Sequence, residues 1–188
     1  MTGAFAGRAA LVVLGLPFLQ ACGQREVVEA APVSAAGELL VAELTIDANS
    51  FGCLTDMAAI RHFFVDNLLG DRDATIAVAE STEGGVYPPG SVVQLVPTEV
   101  MVKHPPGFSP ATRDWEFFEL GVTAEGTSIS KRGFGDVVNR FGGNCLDCHI
   151  EAEPQYDLIC EIGHGCDPIP ITREQIAAVQ AADPRCME

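Results

Sequence analysis

The chain has 188 residues, 47% of them hydrophobic and 20% charged, with a formal net charge of −15. That length accommodates one domain with extensions and a buried core. The charge excludes nucleic acid and anionic lipid as partners held by general electrostatics; it suits either a solubilising surface or a basic protein partner whose attraction weakens with salt.

The first residues, "MTGAFAGRAALVVLGLPFLQAC", place Arg8 before an apolar run from Ala9 to Leu19 that ends in small residues and Cys22. The run is too short to span a bilayer and has the order of an export signal. "LQAC", Leu19 to Cys22, resembles the bacterial lipobox, so the expected organisation is a signal peptide over 1–21, a lipidated Cys22 and a polar, Pro-containing tether over 22–40. Gly23 after the cysteine implies the outer membrane, with the remaining domain, 41–188, facing the periplasm.

Within that domain, "DMAAIRHFFVDNLLG" spaces Met57, Ile60, Phe64 and Leu68 at helical intervals between Asp56 and Gly70, which predicts a helix with His62 on its solvated side. The segments "ATIAVAES", "SVVQLVPTEVMVK", "WEFFELGV" and "TSISKRG" are β-branched or aromatic and bounded by turn residues, and they predict strands. Pro97 marks an edge or a bulge, and "GVTAEGTS" a hairpin. After a cysteine-rich loop segment, "TREQIAAVQAADP" predicts a final helix with Thr172 and Gln175 as a capping box and Pro184 as its stop. The expected fold class is α+β: an antiparallel sheet with flanking helices and a disulfide-tied C-terminal tail.

"CLDCH", Cys145 to His149, has the C-x-x-C-H spacing of c-type haem attachment. Two thiols at that spacing reach the two vinyl groups on one porphyrin edge, and the next residue brings an imidazole beneath the iron. Cys145 and Cys148 are thus expected as thioethers of one covalent haem c, with His149 as its proximal ligand. A thioredoxin-like pair would need a βαβ setting that is missing here. Zinc would need a second ligand pair, for which "CEIGHGC" offers Cys160, His164 and Cys166. Export favours haem over both. The motif lies late in the chain and only Met187 follows it, unlike a small helical cytochrome c; the strands exclude a four-helix cytochrome c′.

The order "DATIAVAESTEGGVYPPGSVVQL", "WEFFELGV" and late "CLDCH" resembles the cytochrome P460 and cytochrome c′-beta family over about residues 56–149, with 150–188 as an extension. The resemblance implies a β-sheet haem pocket, open or apolar on its distal side, that binds NO or related small nitrogen species, and a dimer as the expected assembly. In some members a lysine bonded to the porphyrin follows the Pro-x-Gly turn. Here the first lysine after that turn is Lys103, whose alternative reading is a solvent-facing strand end.

Candidates for a sixth ligand are Met57, His62, Met101, His104, His164 and Met187; Met101 and His104 lead because they lie where the resemblance puts the pocket. Met101 reads more readily as core packing, and His104 as a surface turn residue. Phe117, Phe118 and Lys103 are candidate distal-pocket residues, and Glu99, Glu116 and Glu119 candidate proton acceptors. Four cysteines remain, enough for two disulfides with three possible pairings, of which we favour Cys160 with Cys166 as a short loop and Cys53 with Cys186 as a long closure. Two functions follow: a site for a small gaseous or nitrogenous ligand, with or without turnover, or a six-coordinate electron carrier between periplasmic partners.

Overall fold

The structure is a computed structural model and describes residues 44–187. The signal segment 1–21, Cys22 and the tether 22–40 lie outside the described residues. Six strands form one antiparallel sheet in chain order: β1 (Ala58–Ile60), β2 (Phe63–Asn67), β3 (Ser91–Val96), β4 (Glu99–Lys103), β5 (Trp115–Thr123) and β6 (Gly126–Gly133). Helices α1 (Arg72–Glu80), α2 (Cys145–His149) and α3 (Arg173–Ala181) accompany it. The α+β class is as expected, and among the described residues no helix is long and apolar enough to cross a membrane.

Both faces of the central strands β3, β4 and most of β5 are covered, which is why those strands read as nearly continuous apolar runs. Val65, Val93, Met101 and Phe117 are register partners across four strands and share one buried cluster with Phe63, Trp115 and Leu158. Side chains alternate in direction along a strand, so Val92, Val100, Val102 and Phe118 fall on the other face, against Ile46 and Phe51.

Two expectations for residues 56–81 are reversed. The segment from Asp56 to Gly70 is a hairpin, not a helix: β1 and β2 are joined through Arg61 and His62, with Arg61 at φ 48° in the left-handed region. Its helical spacing of apolar residues is outweighed by pairing of Val65 with Val93 in the central sheet. The expected strand "ATIAVAES" is instead α1. Thr75 and Ala79, four residues apart, are its buried stripe. The Thr75 hydroxyl lies 2.9 Å from that of Ser91 and accepts from Asn67 Nδ2 at 3.0 Å, so tertiary contact decides the conformation.

The run around Pro97 divides into β3 and β4, with a register shift between Gln94 and Val96 just before the proline. Gln94 Nε2 donates to the carbonyls of Val96 and Pro97 at 3.1 and 2.9 Å, satisfying polar groups that the irregularity releases. The β5–β6 hairpin and α3 are where expected, and Thr172 and Gln175 form the capping box.

Cys53 is bonded to Cys186 and Cys160 to Cys166. The first bond closes a sequence separation of 133 residues. It is backed by fully buried Asp183, which accepts from Arg185 at 2.7 Å and from the Leu54 amide at 3.2 Å. The C-terminal tail is thereby clamped to the start of the domain.

Candidate functional site

The CLDCH segment is the one-turn helix α2, and its start is built by Asn144. The Asn144 side chain accepts from the Asp147 amide at 3.1 Å and donates to the Gly135 carbonyl at 2.8 Å, joining the helix to the chain that leaves β6. Cys145 donates its amide to Val137 at 3.1 Å, a second tie to the same segment. Cys145, Cys148 and His149 thus open onto a cavity of about 500 Å³. That size lies within the usual range for cofactor pockets, about 300–1,000 Å³.

The cavity walls come from four places. The sheet supplies Phe63, Val93, Met101 and Phe117; the disulfide loop supplies Cys160, Glu161, Ile162 and Cys166; α3 supplies Ile176; and the segment before α2 supplies Arg140 and Phe141. The walls are mainly apolar, with a few polar groups at fixed places.

His149 is enclosed by protein atoms while its ring still meets the cavity. Its Nδ1 is 2.6 Å from the Leu158 carbonyl, so Nδ1 carries the proton that is donated there and Nε2 is the nitrogen left free. Burial holds its pKa below the ordinary histidine value, against an opposing effect of the Leu158 carbonyl, and this favours the neutral ring. Phe117 lies 5.2 Å from it, ring centre to ring centre.

Cys145 and Cys148 are unbonded, half-buried thiols. Burial pushes the Cys145 thiol up to about 12, assisted by Glu99 and the neighbouring cysteine. Burial also raises Cys148, with Glu151, Asp167 and Asp147 acting the same way. Such acidic surroundings oppose the thiolate that a redox nucleophile or a zinc ligand requires. The Cys160–Cys166 bond, moreover, withdraws the second ligand pair that a zinc site would use. The donor set instead fits haem c: two neutral thiols for two thioethers, one imidazole nitrogen free to ligate, and an apolar enclosure.

Strand parity sorts the other candidates. Glu99, Met101 and Phe117 share the cavity face, and all three line the cavity. His104 does not: its Nε2 is 2.7 Å from Glu116 Oε2, and its ring stacks on Phe108. It is buried there, not a surface turn residue. Glu116 also binds Arg132 at 2.7 and 2.8 Å and is absent from the cavity wall. Burial alone would raise its pKa, but His104 and Arg132 together hold it below the usual carboxylate range. Glu119 sits opposite Glu99 and 3.5 Å from Lys131, outside the lining. Phe118 borders the cavity, but its ring packs on Phe51 across the sheet, leaving Phe117 as the aromatic wall.

Lys103 is neither solvent-facing nor part of the cavity wall. It shares the parity of Glu99 but stands four residues further along β4, about 13 Å away at strand spacing. There Nζ is buried and bonded to both Asp157 carboxylate oxygens, at 2.9 and 2.7 Å.

His62, expected on a solvated helix face, instead lines the cavity, with Nδ1 3.4 Å from Glu161 Oε1. Glu161 is clamped by Arg61. His164 is turned away, stacked on Tyr156, and Met187 is exposed. Of the sixth-ligand candidates, only Met101 and His62 reach the cavity. Sequence reasoning missed Glu161, although its place between Cys160 and Cys166, close after the motif, was a usable signal. Among the described residues, no three His, Cys, Asp or Glu side chains converge as a protein-only metal cage.

No family model matches the chain, and no curated protein or solved structure matches it.

Proposed function

We propose that the chain carries one haem c, held by Cys145, Cys148 and His149, as a lipid-anchored, periplasm-facing cytochrome of the P460 and c′-beta kind that binds NO or a related small nitrogen ligand. The observation that carries this reading is the convergence of all three motif residues on one mainly apolar cavity of about 500 Å³, with His149 Nε2 the free ring nitrogen. Haem in that position supplies one-electron redox chemistry and a coordination position for a diatomic or hydroxylamine-sized ligand. The protein's part is to fix the His149 ring through Leu158, to exclude water with Phe63, Phe117 and Ile176, and to hold the Glu99 carboxyl at the wall, which the disulfide loop also lines with Glu161. Burial raises the pKa of Glu99, while the Arg140 amide opposes that rise; the net effect keeps a proton on Glu99 to higher pH than usual. Glu99 is therefore the group among the three acid candidates suited to exchange a proton with a bound ligand.

A second reading, the six-coordinate electron carrier, is favoured by the presence of Met101 and His62 on the cavity wall. Optical spectra of the purified protein, oxidised and reduced, with and without CO and NO, separate the two. The ligand-binding reading predicts a spectral shift of the reduced protein with CO. A reduced spectrum that CO leaves unchanged, and that responds only after Met101→Ala or His62→Ala, would assign the carrier role.

A further inference from the structure

Between α2 and the disulfide loop, the chain makes an unusual bend. Asp157 and Leu158 are consecutive non-glycine residues in the left-handed region, at φ 50° and 67°. A β-carbon makes that conformation unfavourable, so it persists only where surrounding contacts over-determine it. Here the contacts are many. Lys103 Nζ binds both carboxylate oxygens of Asp157 and donates to the Arg113 carbonyl at 2.6 Å. The Tyr87 amide donates to Asp157 Oδ2 at 3.0 Å, and Trp115 Nε1 donates to the Asp157 carbonyl at 2.8 Å. The Lys103 and Asp157 side chains are 7% and 3% exposed. The ion pair is thus out of reach of the solvent screening that makes surface pairs weak.

The consequence lies one residue further on, where the Leu158 carbonyl accepts from His149 Nδ1. That acceptor selects which ring nitrogen faces the cavity. It also pushes electron density onto the imidazole, as partners of metal-bound histidines do. A carbonyl has this effect only if its peptide plane is held; the N–H of that plane, on Ile159, donates to the Tyr156 carbonyl at 2.9 Å and closes a four-residue turn, within which Asp157 is the anchored residue.

We propose that the buried Lys103–Asp157 pair is a positioning device for His149: it locks the bend that aims the Leu158 carbonyl at Nδ1, and so tunes the ligand field of the haem. The inference rests on the haem reading of the site. It gives Lys103 a role on the proximal side, away from the cavity, where it touches no ligand.

The test compares wild-type holoprotein with Lys103→Met and with Lys103→Met/Asp157→Asn. Asparagine tolerates the left-handed region and can still accept from Tyr87, so the double variant removes the ion pair without leaving a lone buried charge. The readouts are the iron–histidine stretching band of the reduced protein and its reduction potential. With the carbonyl released, Lys103→Met should lower the band and raise the potential, and the double variant should return part of the way. If Lys103→Met does not accumulate, a shifted band in the double variant supports the proposal. Wild-type band and potential in variants that merely melt earlier would reduce the pair to a structural role and overturn it. Should the wild-type protein carry no haem, the functional reading fails separately. The ring ¹⁵N shifts of His149 then decide the positioning claim: a proton fixed on Nδ1 in wild type and mixed tautomers in Lys103→Met support it, and identical tautomers overturn it.

Discussion

His62 Nδ1 lies 3.4 Å from Glu161 Oε1 on the cavity wall, yet it makes no hydrogen bond with any described residue. Burial is the main cause holding the His62 pKa below its ordinary value; Glu161 works against it, and Arg173 and Arg61 add to it. The unfolded chain therefore binds a proton more readily than the folded one. Stability from this residue is complete above the unfolded value, about 6.5, and is lost as pH falls through the lower folded value. His62→Gln should flatten the decline in Tm as pH falls below the ordinary histidine value of about 6.5, read by thermal melts through the acid range. An unchanged slope would mean that His62 is freely solvated.

Glu99 has the opposite sign for stability. Its folded pKa is raised by burial, so ionising it favours the unfolded chain as pH rises past the ordinary carboxylate value. Glu99→Gln keeps an acceptor for the Arg140 amide and removes that cost. Melting curves should show the variant more stable than wild type at pH 7 and equal to it near pH 3, where both side chains are neutral. A variant less stable at pH 7 would show that the carboxylate is stabilising where it stands.

The tail clamp joins the Cys53–Cys186 bond to the buried Asp183–Arg185 pair. Replacing both cysteines with alanine should cost about 2–4 kcal/mol, seen as a lower denaturant midpoint, while leaving the colour of the protein intact. For Asp183, burial pulls the pKa up, but Arg185 and the Leu54 amide outweigh it and the net shift is down. Its contribution is present above the usual carboxylate value and disappears as pH falls through the lower folded one. Asp183→Asn should therefore destabilise at pH 7 by about 3–5 kcal/mol, and much less in acid. Equal losses at both pH values would assign the effect to packing.

The parts of this fold that sequence reveals are those decided locally. "WEFFELGV" and "GVTAEGTS" form β5 and its hairpin because aromatic alternation and turn residues agree with the sheet. The capping box at Thr172 holds for the same reason. Residues 56–81 misled in both directions because apolar spacing there fits two periods, and the choice was made by partners in β3 that a local window does not contain. At the site, Cys145, Cys148 and His149 were legible through spacing, and the number of disulfides through counting the cysteines left over, but their pairing is set by the fold. His62 and Glu161 meet across about a hundred residues and depend on a hairpin that reads as a helix. Lys103 ends a strand and reads as exposed; it is buried because Asp157 reaches it from a left-handed bend that no residue pattern announces.

The most direct measurement is the intact mass, under denaturing conditions, of the mature protein made by cells able to ligate haem. Wild type should retain one haem after denaturation, and Cys145→Ala/Cys148→Ala should lose it. A colourless wild-type product with both of those thiols free would contradict the haem reading.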